Sequence, residues 1–250
     1  MRVWGNRICP PTLDRALAAW LLNVGVMGRS ERAWFEHVVR AGDTILDVGA
    51  NQGIYAMLCA RLVGAEGRVL AFEPEPELFA ALQAACAAND ASNVAAFGVA
   101  AGATTGRAAF RRSRVNRGDN RLTNDGASGT VTVEVRPLDD IVGDGPAHVV
   151  KIDVQGQEPL VVAGMARLLD RSEPPIVLFE LWPSGLARAG HTPAPLVEAF
   201  TQRGFRLAEL TSAGMVWLAS SALTAWTREG RGGWTNLVAV KGALADRVGA

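Results

Sequence analysis

Residues 44–53, TILDVGANQG, constrain the fold of this chain more than any other stretch. Thr44, Ile45 and Leu46 form a short run suited to a buried strand. Asp47 ends it, and Gly49, Ala50 and Gly53 follow at once. Residues 54–63 are then an apolar run of helical character. A strand, a tight glycine turn and a helix start, in that order, hold nucleotide-like ligands at the end of a parallel strand. Glycine suits the turn because backbone N–H groups then approach a ligand with no Cβ in the way. The spacing excludes one ligand class. The dinucleotide fingerprint G-x-G-x-x-G, started at Gly49, meets Asn51 and Ile54 where its second and third glycines belong.

What is present is D-x-G-x-N-x-G. It resembles the cofactor loop of class I S-adenosylmethionine-dependent methyltransferases, where the loop backbone packs against the methionine part and a strand-end carboxylate faces its ammonium. A second station supports this. Residues 68–72, RVLAF, read as the next buried strand, closed by Glu73 and Pro74. An acid about 20 residues beyond a glycine turn is placed to accept hydrogen bonds from ribose hydroxyls. Pro74 stops the strand because it has no N–H to donate.

A chain of 250 residues suits one α/β domain with added elements. Lys and Arg number 25 against 25 Asp and Glu. That balance argues for neither a nucleic-acid partner nor an anionic membrane surface. Cys9, Cys59 and Cys86 are far apart and form no C-x-x-C, which fits a reducing compartment. With no apolar run near the roughly 18 residues a membrane span needs and no recognisable leader, a cytoplasmic protein is expected. A homodimer is compatible with the sequence.

Residues 12–40 read as two helices split near Gly25, with Ser30 capping the second and Trp34, Phe35, Val38 and Val39 turned inward. They are expected to form an N-terminal helical cap over residues 1–40, ahead of a cofactor-binding domain over 41–250. Further helices are expected over 75–88, 157–170 and 193–203, and strands over 94–99, 149–153, 176–181, 205–210 and 237–240. Residues 108–111 and 130–136 alternate as a half-exposed strand pair does. Between them, residues 112–129 form a long arginine-bearing loop, expected to order over the ligands or to recognise an anion on the acceptor. Residues 215–231 show no clear strand pattern and are expected to cap the acceptor site. Alternating strands and helices call for a mostly parallel sheet with helices on both faces.

Four carboxylates sit at strand ends: Asp47, Glu73, Asp153 and Glu180. Ligands of an open parallel sheet bind beyond these ends, so the four are expected to line one cleft. At this point DVGANQG, FEPEP, KIDVQGQE and LFEL, in that order, resemble the FkbM family of methyltransferases over roughly residues 31–210. One position departs. The family usually carries Glu where Gln155 stands, while the second acid of that motif, Glu158, is kept.

The resemblance implies a Rossmann-like class I methyltransferase fold with a mostly parallel seven-stranded sheet. It implies S-adenosylmethionine held by Asp47, Gly49, Ala50, Asn51, Gly53, Glu73, Pro74 and Asp153. It also implies methyl transfer, most often to a hydroxyl of a small molecule such as a sugar or natural-product intermediate. Two other outcomes stay open: N-methylation of a peptide, and a catalytically silent module keeping the fold as a scaffold.

A hydroxyl needs a base. Lys151 shares a strand face with Asp153 and would hold it ionised, suited to orienting. Glu180 lies between Phe179 and Leu181, where burial would raise its proton affinity, and is the candidate base. Of the histidines, His37 sits in a helix and His148 opens a strand at the wrong end of the sheet. His191 lies in a loop on the cleft side and is a third catalytic candidate. Trp182 is read either as an acceptor-pocket wall or as core. No H-E-x-x-H or His/Cys cluster exists, and Asp153 has no acidic neighbour in sequence, so no metal site is expected.

Overall fold

The computed structural model describes residues 1–10, 28–111, 121–123, 130–219 and 233–249. The expected helix over 12–24, most of the 112–129 loop and the later part of 215–231 lie outside them. The chain opens with a hairpin, β1 (Arg2–Val3) and β2 (Asn6–Arg7), turned at Trp4 and Gly5 with positive φ at both, as tight hairpin turns require. Trp4 packs edge-on against Tyr55 at 5.4 Å. α1 (Arg29–Val38) follows, burying Trp34, Phe35 and Val38. Gly28, not Ser30, occupies its N-cap, and no side chain caps it.

Next come β3 (Thr44–Val48), α2 (Ile54–Val63), β4 (Arg68–Phe72), α3 (Pro76–Ala88) and β5 (Val94–Phe97). The Glu75 carboxylate accepts from Leu78 N at 2.8 Å and caps α3, with Pro76 in its first turn. β6 (Ala100–Ala101), β7 (Gly106–Arg111), β8 (Arg121–Thr123) and β9 (Thr130–Arg136) form a separate four-stranded sheet. Its centre is the expected antiparallel pair, Gly106 opposite Val135 through Arg111 opposite Thr130.

The chain then runs through α4 (Leu138–Val142), β10 (Val149–Ile152), α5 (Glu158–Ala163) and α6 (Ala166–Leu169). It ends with β11 (Ile176–Leu181), α7 (Pro183–Arg188), α8 (Pro193–Thr201), β12 (Arg206–Thr211), β13 (Gly214–Trp217), β14 (Thr235–Val240) and a 3₁₀ turn (Ala243–Val248).

The main sheet has eight strands, ordered β13-β12-β14-β11-β10-β3-β4-β5. Strands β11, β10, β3, β4 and β5 run parallel, and β14 enters antiparallel between β11 and β12. The eighth strand is β13, which pairs antiparallel with β12 at the edge. Its four residues, Gly-Met-Val-Trp, are too short and too exposed to carry a pattern; pairing with β12 makes it a strand. Trp217 is therefore an edge residue under the Arg206 guanidinium, 4.1 Å from its ring, and not part of a cap.

Side chains alternate between the two faces of each strand. Ile45, Val69, Val149, Ile176 and Leu178 pack under α1 and α2. Leu46, Val48, Val150, Ile152, Val177 and Phe179 pack under α5 to α8. Asp47, Lys151 and Glu180 follow Ile45, Val149 and Leu178 by two residues each, so these three polar groups share the α1/α2 face. The single helix expected over 157–170 is broken at Gly164. A Cβ there would stand 2.0 Å from the Gly102 carbonyl oxygen, which ties this helix pair to the smaller sheet. Gly164→Ala is expected to cost about 1–3 kcal/mol, as overpacking does, and to lower the melting temperature. An unchanged melt would show that the contact yields.

Candidate active site

The glycine loop begins with a close approach. Gly49 has φ of 78°, and a Cβ on it would meet the Asp153 carbonyl oxygen at 2.0 Å. The loop after β3 thus lies directly on the end of β10. Its backbone donors are used within the protein. Gly49 N and Ala50 N both donate to the Phe72 carbonyl, and Gly53 N donates to that of Ala50. Asn51 N donates to Glu73 Oε2 at 2.9 Å, and Gln52 N donates to Asn51 Oδ1 at 2.9 Å. Glu73 Oε1 accepts from Glu75 N at 2.8 Å, so this carboxylate cross-braces the loops after β3 and β4. Glu73 is 4% exposed; burial raises it to about 7, with the N–H bonds from Glu75 and Asn51 pulling the other way. Pro74 follows at the half-buried rim.

Asp47 is only 1% exposed, and neither oxygen makes a hydrogen bond among the described residues. Its partner is Lys151, level with it on the neighbouring strand, Nζ 3.4 Å from Oδ1. The same ammonium lies 3.7 Å from Asp153 Oδ2 and 5.0 Å from the centre of the Tyr55 ring. Burial lowers the Lys151 proton affinity, but Asp47 and Asp153 raise it further, and the net shift is upward. Lys151 is therefore held charged. The expected pairing with Asp153 is present, with Asp47 as the closer partner.

Asp153 and Glu180 come together through Gln155. Its Nε2 donates to Asp153 Oδ1 at 2.8 Å and to Glu180 Oε2 at 3.4 Å. Burial, then Asp153 and Glu158, push Glu180 up to about 9, against the pull of Lys151. Below these two, Glu158 is fully buried. Its Oε1 accepts from Val154 N and Gly156 N, both at 3.2 Å, and it is raised to about 7, chiefly by burial. The structure thus groups Asp47, Asp153 and Glu180 on one sheet face.

His191 is not joined to the pair. Its backbone N donates to Leu186 O at 2.8 Å and closes α7, and its imidazole makes no hydrogen bond among the described residues. His148 Nδ1 accepts from Thr44 N at 2.8 Å, at the far end of the sheet, and His37 is exposed on α1. Trp182 begins α7 and carries the Arg188 guanidinium 4.2 Å from its ring.

Beside Glu180 the sheet continues into Asn236, its antiparallel partner, and then Leu210. Asn236 Nδ2 donates to Glu31 Oε1 at 2.7 Å. Glu31, Leu210 and Asn236 line a pocket of about 310 Å³, together with Gly28, Arg29, Ser30, Thr235 and Trp234. Trp234 is 56% exposed. Glu31, Asn236 and Trp234 carry no motif; the β11–β14 pairing brings Asn236 and Trp234 to the cleft, and Glu31 meets Asn236 from α1.

A family model described as the Methyltransferase FkbM domain matches residues 47–207. The chain belongs to the FkbM methyltransferase family. It is an S-adenosylmethionine-dependent methyltransferase. Among solved structures it is similar to a suspected rRNA methylase of Clostridium thermocellum, at 12% identity and TM-score 0.52, over 85% of this chain and 95% of that one. It is also similar to a precorrin-6y C5,15-methyltransferase of Geobacter metallireducens GS-15, at 12% identity and TM-score 0.48, over 86% and 91%. A third is Aeropyrum pernix fibrillarin, which holds bound S-adenosylmethionine, at 15% identity and TM-score 0.45, over 96% and 84%. The first of these agrees with the Rossmann-like fold. No curated protein matches the sequence. No helix among the described residues is long and apolar enough to cross a membrane.

Glu158 holds its proton more tightly in the fold than an ordinary glutamate does. Its stabilising contribution is complete below the ordinary carboxylate range and is lost as pH rises through about 7. Glu158→Gln keeps an acceptor for both N–H groups and carries no charge. Between acid and alkaline buffer the wild type is expected to lose about 2–3 kcal/mol more stability than this variant. Chemical denaturation at several pH values checks this, and parallel pH profiles would contradict it.

Proposed function

We propose that this methyltransferase methylates a hydroxyl group of a small molecule seated beside Glu180. The observation that carries this reading is the Glu180 carboxyl itself. One oxygen is tied to Gln155, the other makes no hydrogen bond among the described residues, and the residue level with it on the next strand, Asn236, lines a pocket. The even balance of 25 basic and 25 acidic residues favours a small acceptor over the RNA named for some structural neighbours.

The donor set fits the cofactor. Five successive N–H groups of the glycine loop are already satisfied, and the side chains around the strand ends are mostly acceptors. A ligand here should therefore bring positive charge and hydroxyl donors, which S-adenosylmethionine does. Glu73 retains lone pairs for the ribose diol, since a carboxylate accepts at about four positions. Gly49, Ala50, Asn51, Gly53 and Pro74 shape the surface it lies on. Asp153 faces its cationic part, and Asp47 acts from beneath through Lys151. When bound, S-adenosylmethionine supplies a methyl group already activated on a cationic sulfur.

The chain's own contribution is to orient the acceptor and to take a proton. Glu180 accepts the hydroxyl proton at its free oxygen. Asp153, held at Oδ1 by Gln155 and at Oδ2 by Lys151, stays fixed as the orienting carboxylate. His191 has no part in this reading.

Three outcomes are expected. S-adenosylmethionine should raise the melting temperature while NAD at equal concentration leaves it unchanged; equal protection by NAD would contradict the donor accounting. With a hydroxyl acceptor found by mass detection of the methylated product, kcat/KM should rise with pH toward about 9, since a base acts in its ionised form. Glu180→Gln should lower kcat by about 10²-fold and flatten that rise. Normal turnover by this variant would move the base elsewhere.

A further inference from the structure

The loop after β10 turns at Gln155, whose φ of 58° lies in the left-handed region, uncommon for a residue with a side chain. From there the amide stands between two acids, donating to Asp153 at 2.8 Å and to Glu180 at 3.4 Å. Two carboxylates this close disfavour each other's charge unless a cation or a donor bridges them. A primary amide offers two N–H donors and no net charge. It serves both acids with one nitrogen. A glutamate in its place would bring three carboxylates to one point, the oxygen-only donor set that hard divalent cations take. The amide nitrogen instead presents hydrogens to that point, which a cation cannot share.

We infer that Gln155 is a positioning residue that stands in for a bridging cation, holding Asp153 against Glu180 so that this chain needs no divalent metal between them. The inference rests on the reading of Asp153 and Glu180 as the working pair. Among the described residues, the other charged and titratable groups around the pair include Lys151 and Asp47 from β10 and β3, Glu158 from the start of α5, Tyr55 from α2, and Arg29 and Glu31 from α1. Lys151 engages the other oxygen of Asp153. The space between Asp153 Oδ1 and Glu180 Oε2 is left to the amide.

The test requires neither acceptor nor cofactor. Manganese chloride is titrated calorimetrically into the wild type, Gln155→Glu and Gln155→Met, and the glutamate carboxyls are followed by ¹³C NMR as pH is raised. Gln155→Glu should bind Mn²⁺ at least about 10-fold more tightly than the wild type, as an added charged oxygen ligand does, and Gln155→Met should not. Glu180 should titrate at higher pH in Gln155→Met than in the wild type, because the donor to its ionised form is gone. Wild-type binding of Mn²⁺ as tight as that of Gln155→Glu would overturn the inference. So would equal binding by all three proteins, or an unmoved Glu180 titration in Gln155→Met. These results leave methyl transfer itself untouched. Failure of the wild type to bind S-adenosylmethionine would strike that reading and not this one.

Discussion

Lys151 sits under Tyr55 between Asp47 and Asp153, and the cleft end of the sheet is arranged around that ammonium. Removing a charge from water costs several kcal/mol, and a buried pair recovers this only when its partners are well placed. Here the sheet places them. Asp47 and Lys151 are level on adjacent parallel strands, and Asp153 lies two residues further along the same face. The ion pair thus joins the end of β3, where the glycine loop begins, to the end of β10. The contact of Gly49 with the Asp153 carbonyl makes the same join through the backbone.

The acids around this lysine serve two different ends. Glu73 and Glu158 brace the protein itself, each accepting from two backbone N–H groups and each stitching a loop at a strand terminus. Such bonds cost the carboxylate its exposure, and burial then raises its proton affinity. Asp153 and Glu180 instead keep an edge toward the cleft. A strand-end acid in a parallel sheet is therefore not one feature with one role. Its role follows from whether loop N–H groups reach it.

Much of this was legible from residues alone. The strands β3, β4 and β11 and the helix α2 are apolar runs bounded by polar or glycine residues, and the FkbM motif blocks fall at their ends. The burial that raises Glu180 follows from its flanking Phe179 and Leu181. Less legible were features set by tertiary pairing. β13 is a strand because β12 is beside it, and α5 and α6 are separate because Gly164 meets Gly102. Asn236 reaches Glu180 only through the β11–β14 register, and nothing near it in the chain announces a pocket. The closer partner of Lys151 is Asp47, more than a hundred positions away and visible only once β3 and β10 are adjacent. Gln155 was legible as a departure from a pattern, but its bridging amide was not, since that depends on a left-handed turn.

The glycine loop shows how the same local shape is turned toward opposite ligands. A strand, a glycine turn and a helix start bind pyrophosphate when the N–H groups of the turn point outward, because those donors and the helix dipole favour negative charge. In this chain the turn spends its donors on Phe72, Glu73, Asn51 and Ala50. What remains at the strand ends is carboxylate. The chain carries equal numbers of acidic and basic residues, yet Asp153, Glu180, Glu73 and Glu31 gather at one end of one sheet against a single buried lysine. A low-dielectric cleft in which one sign of charge predominates attracts the other. The preference we propose for a cationic sulfonium donor over an anionic dinucleotide rests on where five N–H groups point, and the glycine count that distinguishes the two motifs in sequence is its outward sign.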